Sequence, residues 1–388
     1  MENLKIALLL HFYQPWWQTP KILRKIAGEC YRPIMELIGK ESGFCFSANI
    51  NYSLLELLDR GSGENGEDFI LDDFGDIVCG FKKAAGERKI ELLGSAAYHP
   101  IMPLIPKDLQ ISQMLVDSEF KKTLWEIKRN CGGIFLPEMA FSQNILPNLK
   151  NFGYGWTVLD DVPFKVQYNC VPFDHIPDIQ GGFKVFLRSN YWSNQIAAGC
   201  LDFRTFREKL NYEFPRWTKN RPAYLVIALD AETFGHHHPG LMDGFLKPMI
   251  REWGSGGLGI LTPIEKIAEI FPVKTLVKIN DGSWSTSEED YWRDDPFPLW
   301  NSKLNPHHQN LWRLVNLALR HFGKIGANLD CLKIVSSCHW WWISDRPWWN
   351  PEFMKIGARK AMRIVENFGS PEEIAEAKKI FDKLLALR

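Results

Sequence analysis

The sequence lacks the marks of several protein classes. None of its eight cysteines forms a CxxC pair; they stand singly at positions 30, 45, 79, 131, 170, 200, 331 and 338. Scattered thiols in a chain of this size fit a reducing compartment better than a disulfide scaffold. No apolar stretch approaches the length of a membrane span, and the opening run Ile6–Leu10 is too short for a signal core. A cytoplasmic location is therefore expected, with no membrane partner. Neither sign of charge is in excess, since Lys+Arg and Asp+Glu are both 46, so bulk charge gives no reason to expect nucleic acid and favours a neutral ligand. There is no internal repeat or low-complexity tract. The glycine-rich stretch Gly61–Gly66 has neither the spacing nor the lysine of a phosphate cradle and reads as a surface loop.

What is present is core-forming material and tryptophan. Hydrophobic residues make up 45% of the 388 positions and charged residues 24%, enough for a large core. There are 16 tryptophans, several adjacent: Trp16-Trp17, Trp340-Trp341-Trp342, Trp348-Trp349. Some must be core. Neighbouring side chains nevertheless point in different directions, and a flat apolar ring with a polar N–H edge suits the face of a sugar. Carbohydrate is the ligand class this composition suggests.

Short apolar runs recur at Lys5–Leu10, Phe44–Ala48, Ile90–Leu93, Ile134–Leu136, Trp156–Leu159, Lys184–Leu187, Tyr224–Leu229 and Leu258–Leu261. Helical patterns such as Lys21–Ile38 and Leu109–Arg129 lie between them. Continuous apolar strands alternating with helices indicate a parallel sheet covered on both faces, and this many units suit a closed or nearly closed β/α barrel. We expect an α/β fold with the barrel over 1–270 and a helical subdomain over 271–388. The latter would contain helices over His307–Phe322, Glu352–Asn367 and Pro371–Leu387, the last opened by a Ser370/Glu373 capping box.

A barrel carries its functional residues at the carboxyl ends of its strands. His11, Glu138 and Asp230 each follow an apolar run. Glycosidic bond cleavage needs a proton donor and a second carboxylate across the ring, roles open to Glu138 and Asp230, with Glu232 nearby to raise a proton affinity. By pattern alone, a solvated loop or helix cap explains Asp230 and Glu232 equally well. Arg188 at another strand end reads equally as a substrate contact or a structural ion pair. His236-His237-His238 invites a metal, yet three consecutive loop residues rarely face one ion and no HxxxH spacing accompanies them.

Five separated segments together resemble glycoside hydrolase family 57: His11-Phe-Tyr-Gln-Pro15; Lys89-Ile-Glu-Leu-Leu-Gly94 with Tyr98-His-Pro100; Phe135-Leu-Pro-Glu138; Asp230-Ala-Glu-Thr-Phe-Gly235; and Ser337-Cys-His-Trp-Trp-Trp342. The resemblance implies a distorted (β/α)7 barrel with a C-terminal helical part and retaining chemistry on α-glucan. Glu138 would be nucleophile and Asp230 general acid/base. His11, Gln14, Glu91, His99, Glu232, His339, Trp340 and Trp342 would bind an oligosaccharide or polysaccharide, with no cofactor or metal. Tyr13 stands where the family often has a second His, and His339 where amylolytic members usually have Asp. The substrate is thus less fixed than the reaction: another α-glycoside such as an α-galactoside, a degenerate sugar-binding member, and a metal-dependent deacetylase- or mannosidase-like hydrolase are the alternatives.

Overall fold

The computed structural model describes residues 3–41, 45–60, 74–125, 131–219, 221–254, 260–276, 278–324, 326, 328–346 and 348–387. Nine strands form one sheet: β1 (Leu4–Phe12), β2 (Phe46–Ile50), β3 (Ile90–Leu93), β4 (Gly133–Ile134), β5 (Trp156–Asp160), β6 (Ile176–Ile179), β7 (Phe183–Arg188), β8 (Ala223–Asp230) and β9 (Val273–Leu276). Seven are linked in the order β3-β2-β1-β8-β7-β5-β4, all in parallel. A parallel bridge between Gly94 and Ile134 joins the two ends, so the sheet closes into a seven-stranded barrel. β6 and β9 lie off this ring, β6 pairing antiparallel with β7 and parallel with β9.

Seven of the eight apolar runs thus supply barrel strands. The run at 258–261 lies partly outside the described residues; within them, Leu261 makes only a bridge to Ile6. The loop at 61–66 lies wholly outside. β6 and β9 were not anticipated, being short pieces without a distinctive apolar pattern.

Side-chain alternation along the strands decides what faces the lumen. In β1, Ala7 and Leu9 join Leu93, Phe135, Val158, Phe186, Val226 and Ala228 in one cluster. Residues of β1, β3, β5, β7 and β8 and Phe135 just past β4 contribute to it, while β2 turns the polar Ser47 and Asn49 inward, so it fills the barrel interior. Ile6, Leu8, Leu10 and Phe12 instead pack outward in a second cluster with Leu23, Ile34 and Leu54. The lumen series ends at the carboxyl edge on His11 in β1, Asn49 in β2, Asp160 in β5, Arg188 in β7 and Asp230 in β8. Register agrees, since His11 pairs with both Asn49 and Asp230.

The opposite end is closed by helix Ile264–Ile270, which sends Ile264 and Ile267 into the interior cluster. Its first backbone N–H groups, those of Ile264 and Glu265, each lie 2.9 Å from a Glu91 oxygen, and Ser47 donates to the same carboxylate. Glu91 is thus a structural plug at the amino end of the barrel. The chain beyond residue 270 carries β9 and then helices that include Pro306–Leu319, Pro351–Phe368 and Pro371–Leu385. Both hydrogen bonds of the Ser370/Glu373 capping box are present. These helices share one core with residues around β4 such as Ile134 and Leu136. No helix among the described residues is long and apolar enough to cross a membrane.

Besides the lone Gly94–Ile134 closure, the ring is thin between β7 and β8, which share a single register pair, Arg188 with Val226. The Arg188 guanidinium reinforces this seam. Its Nε donates to Ala228 O of β8 at 3.0 Å, its Nη1 to Asp160 Oδ2 of β5 at 2.6 Å and its Nη2 to Asn194 Oδ1 at 2.6 Å. Asp160 is 1% exposed and Arg188 5%, so Arg188 is committed to a buried ion pair. Arg188→Met, by stranding the Asp160 charge, is expected to cost about 3–5 kcal/mol in urea unfolding, most of it recovered when Asp160→Asn is added. A loss under about 1 kcal/mol would show that this strap contributes little.

Candidate active site

At the carboxyl edge of the barrel a polar cluster forms around Glu138. The residue lies just past β4 in a tight turn, with φ 59° and ψ 14°, and Met139 also has positive φ, at 49°. A left-handed conformation in two consecutive side-chain-bearing residues is strained and persists only where surroundings impose it. The imposing segment is 281–286. Phe141 and Gly282 exchange backbone hydrogen bonds of 2.8 and 3.0 Å, and Trp284 N donates to Glu138 O at 3.1 Å.

The carboxylate is held by two donors. Trp284 Nε1 donates to Oε2 at 2.6 Å, and Ser337 Oγ donates to Oε1 at 2.9 Å. Burial pushes the Glu138 carboxyl up to about 7; these two hydrogen bonds pull it down, and the charge of Asp230 raises it. The indole N–H can only donate, so the ionised carboxylate is the form this cradle is built for.

Behind Ser337 runs a chain of imidazoles. His99 Nδ1 is 2.9 Å from Ser337 Oγ, His11 Nε2 is 3.1 Å from His99 Nε2, and His11 Nδ1 is 2.6 Å from Asn49 Oδ1. Burial holds both histidines below their ordinary value, so the rings are neutral. Ser337 has one proton. While it goes to Glu138, His99 Nδ1 must donate to Ser337, and His11 Nε2 to His99. That leaves His11 Nδ1 without a proton, so the Asn49 amide turns its NH2 toward it, pairing an Nδ2 that is otherwise buried and unpartnered. Every donor in the chain then points toward Glu138. Tyr13 stacks on His99 with centroids 4.0 Å apart, and its hydroxyl lies 3.3 Å from Cys338 Sγ.

Asp230 ends β8 exposed to solvent. Two residues on, Glu232 is buried, accepting from Gln14 Nε2 at 3.0 Å and from the Tyr31 hydroxyl. A wide π-turn, Ala27–Tyr31, interrupts the helical stretch between Pro20 and Lys40 and brings Tyr31 to Glu232 and Cys30 Sγ to Ala231 O, at 3.0 Å. Burial first, then the Asp230 charge, raises Glu232 to about 8.

The structure therefore brings Glu138, His11 and His99 into one hydrogen-bonded cluster, with Asp230 in electrostatic reach and Gln14 on Glu232. Three expected ligand-binding residues lie elsewhere. Glu91 serves the far end of the barrel. His339 is fully buried, its ring stacked on Trp17 at 4.5 Å and its Nδ1 on Phe353 O at 3.0 Å. Helix Pro351–Phe368 passes so close that a Cβ on Gly357 would sit 2.6 Å from the His339 ring. Trp340 is also fully buried and stacks on Trp312 at 4.1 Å. Trp341 and Trp342 are both partly open and lie edge-on to each other. The histidine triplet splays: His236 pairs with Glu29 at 2.7 Å and His238 Nε2 bonds Ala197 O at 2.9 Å. No group of three metal-ligating side chains gathers among the described residues. Asn49, Tyr31, Trp284 and Ser337 are the members sequence reasoning missed. Asn49 left a signal as the polar residue near the end of a strand, and Ser337 as the first residue of the fifth family-like segment.

Comparison with known proteins decides the family. The model of glycosyl hydrolase family 57 matches residues 8–280. The chain belongs to this family. Curated relatives include an alpha-amylase of Pyrococcus abyssi, 23% identical over 164 residues, and a 4-alpha-glucanotransferase of Thermococcus litoralis, 22% identical over 165. Each match covers 42% of this chain and 23% of the relative, so the matched stretch is about a quarter of the relatives' length. Among solved structures, the Thermococcus litoralis 4-alpha-glucanotransferase superimposes with a TM-score of 0.74 at 15% identity, over 95% of this chain and 60% of that one. A branching enzyme of Pyrococcus horikoshii gives 0.65 at 16%, over 98% and 95%. These structures share the barrel fold of this family member.

The raised Glu232 carboxyl has a consequence for stability. A carboxyl held at about 8 when folded ionises near its ordinary value when unfolded, so folding loses stability as pH rises from about 4.5 to 8. Glu232→Gln, neutral in both states, should show a flatter decline across that window, by about 1 kcal/mol per pH unit. Parallel slopes in urea melts at pH 5, 6, 7 and 8 would contradict this.

Proposed function

We propose that the chain is a retaining glycoside hydrolase or transglycosidase acting on α-glucan, with Glu138 as nucleophile and Asp230 as general acid/base. The observation that carries this is the cradle of Trp284 Nε1 and Ser337 Oγ, which fixes both Glu138 oxygens at the carboxyl edge of the barrel, within electrostatic reach of Asp230. The relatives' names and the neighbouring structures support glucan as the substrate class.

In the first step Glu138 attacks the anomeric carbon while protonated Asp230 gives its proton to the departing glycosidic oxygen. Asp230, now a carboxylate, takes a proton from water or a sugar hydroxyl, which attacks the same carbon and frees Glu138. His11, Gln14, His99 and Glu232 are polar contacts for sugar hydroxyls, and Trp342 offers a ring face. Tyr13 is the departure from the family pattern that bears on substrate, since it lies in the cluster; His339 is sealed beneath helix Pro351–Phe368. α-Galactosides therefore belong in the substrate panel.

Glu138→Gln is expected to lower turnover of maltoheptaose and amylose about a thousandfold or more while glucan affinity persists. Retained product formation would remove Glu138 as nucleophile. Trp284→Phe keeps the ring but deletes a hydrogen bond to a carboxylate worth about 1.5–3 kcal/mol. Because that bond favours the charged form, the acid limb of the activity profile should move up by about one pH unit or more. An unmoved limb would mean that Trp284 does not tune Glu138.

A further inference from the structure

Helices Asn190–Ala197 and Phe203–Thr218 stand away from the barrel wall beside the thin β7–β8 seam, leaving a cavity of about 510 Å³. It shares no lining residue with the Glu138–Asp230 cluster, and its size lies in the range of small-ligand pockets. Its walls are aromatic: Phe173, Tyr191, Trp192, Phe214 and Trp217 all face it. Tyr191 and Trp217 are 49% and 44% exposed, so about half of each side chain is open to a ligand. Trp192, 1% exposed, has a buried indole N–H with no hydrogen-bond partner. That donor has essentially no accessible surface, so Trp192 contributes apolar wall and no hydrogen bond to the cavity.

The polar lining is acidic. Asp161 and Glu213 contribute carboxyl groups, and no Lys, Arg or His is among the described lining residues. Arg221, above the Phe173 ring, is engaged with Asp174 at 2.7 Å. An anion has no counter-charge here. A ligand with flat C–H faces and hydroxyl donors for two carboxyls meets both features. Burial and the neighbouring Asp160 raise Asp161 to about 7, so near neutrality it both donates and accepts, as a hydroxyl partner does.

We propose that this cavity is a second carbohydrate-binding site, which takes a short segment of α-glucan away from the catalytic carboxylates and tethers long substrates. The assignment rests on the glucan reading of the catalytic site. Tyr191 and Trp217 stack on successive rings at the mouth, and Asp161 and Glu213 accept from sugar hydroxyls inside.

The test compares wild type with Tyr191→Ala/Trp217→Ala in native gels containing amylopectin, alongside turnover of maltotriose and amylopectin. Both substituted residues are half-exposed but pack on Trp192, so the double variant is read against its unfolding midpoint; Glu213→Ala, which removes one of the two lining carboxyl groups and leaves the aromatic wall intact, is a second variant. The expected result is about tenfold weaker retention by amylopectin for the double variant, weaker retention for Glu213→Ala, unchanged midpoints for both, and unaltered kcat/KM on maltotriose. Unchanged retention in both variants, with wild-type turnover intact, overturns the second site and leaves the glucan reading standing. Retention lost in the variants although the wild type turns over no glucan supports the site and overturns the catalytic reading. Fluorescence quenching by choline without retention by glucan overturns the carbohydrate assignment in favour of an organic cation.

Discussion

Two hydrogen bonds to Glu138, from Trp284 and Ser337, tie distant parts of the chain to one carboxylate 146 and 199 residues away. The same contacts hold a backbone that resists its own conformation. Left-handed geometry at Glu138 and Met139 costs of order 1–3 kcal/mol per residue, and the Phe141–Gly282 pairing and the Trp284 N–H to Glu138 O bond offset it. The barrel alone supplies the strand end; segments beyond residue 270 supply the grip. The shared core around Ile134, Leu136 and the C-terminal helices makes these two contributions a single packing problem.

Strand alternation organises the rest. Ala7, Leu9 and His11 are consecutive members of one inward series, as are Tyr224, Val226, Ala228 and Asp230. Packing thereby fixes, before any chemistry, which polar residues reach the carboxyl edge. This is why the barrel and the positions of His11, Glu138 and Asp230 were legible: a continuous apolar run followed by a polar residue carries both the strand and its end. The helix opened by Ser370 was legible for an equally local reason, its capping box.

The misreadings have a common physical source in non-local contacts. Glu91 has the inward parity of a site residue, but periodicity does not say which end of a short strand a side chain serves. Its partners, the N–H groups of Ile264 and Glu265, lie more than 170 positions away. The aromatic run at 340–342 looked like a sugar platform because adjacent rings diverge; which of them is buried was decided by Trp312 and by the close passage of Gly357 over His339. Trp284 and Ser337 came from an irregular stretch and a helix-capping position, where nothing in the local pattern marks a carboxylate partner.

The chemistry now turns on whether Glu138 takes the sugar. The measurement closest to that claim is covalent trapping: incubation with a 5-fluoro-α-glucosyl fluoride, followed by intact mass and peptide mapping. The account predicts one glycosyl adduct per chain, on the peptide carrying Phe135-Leu-Pro-Glu138. An adduct on Asp230, or turnover with inversion and no adduct, would contradict it.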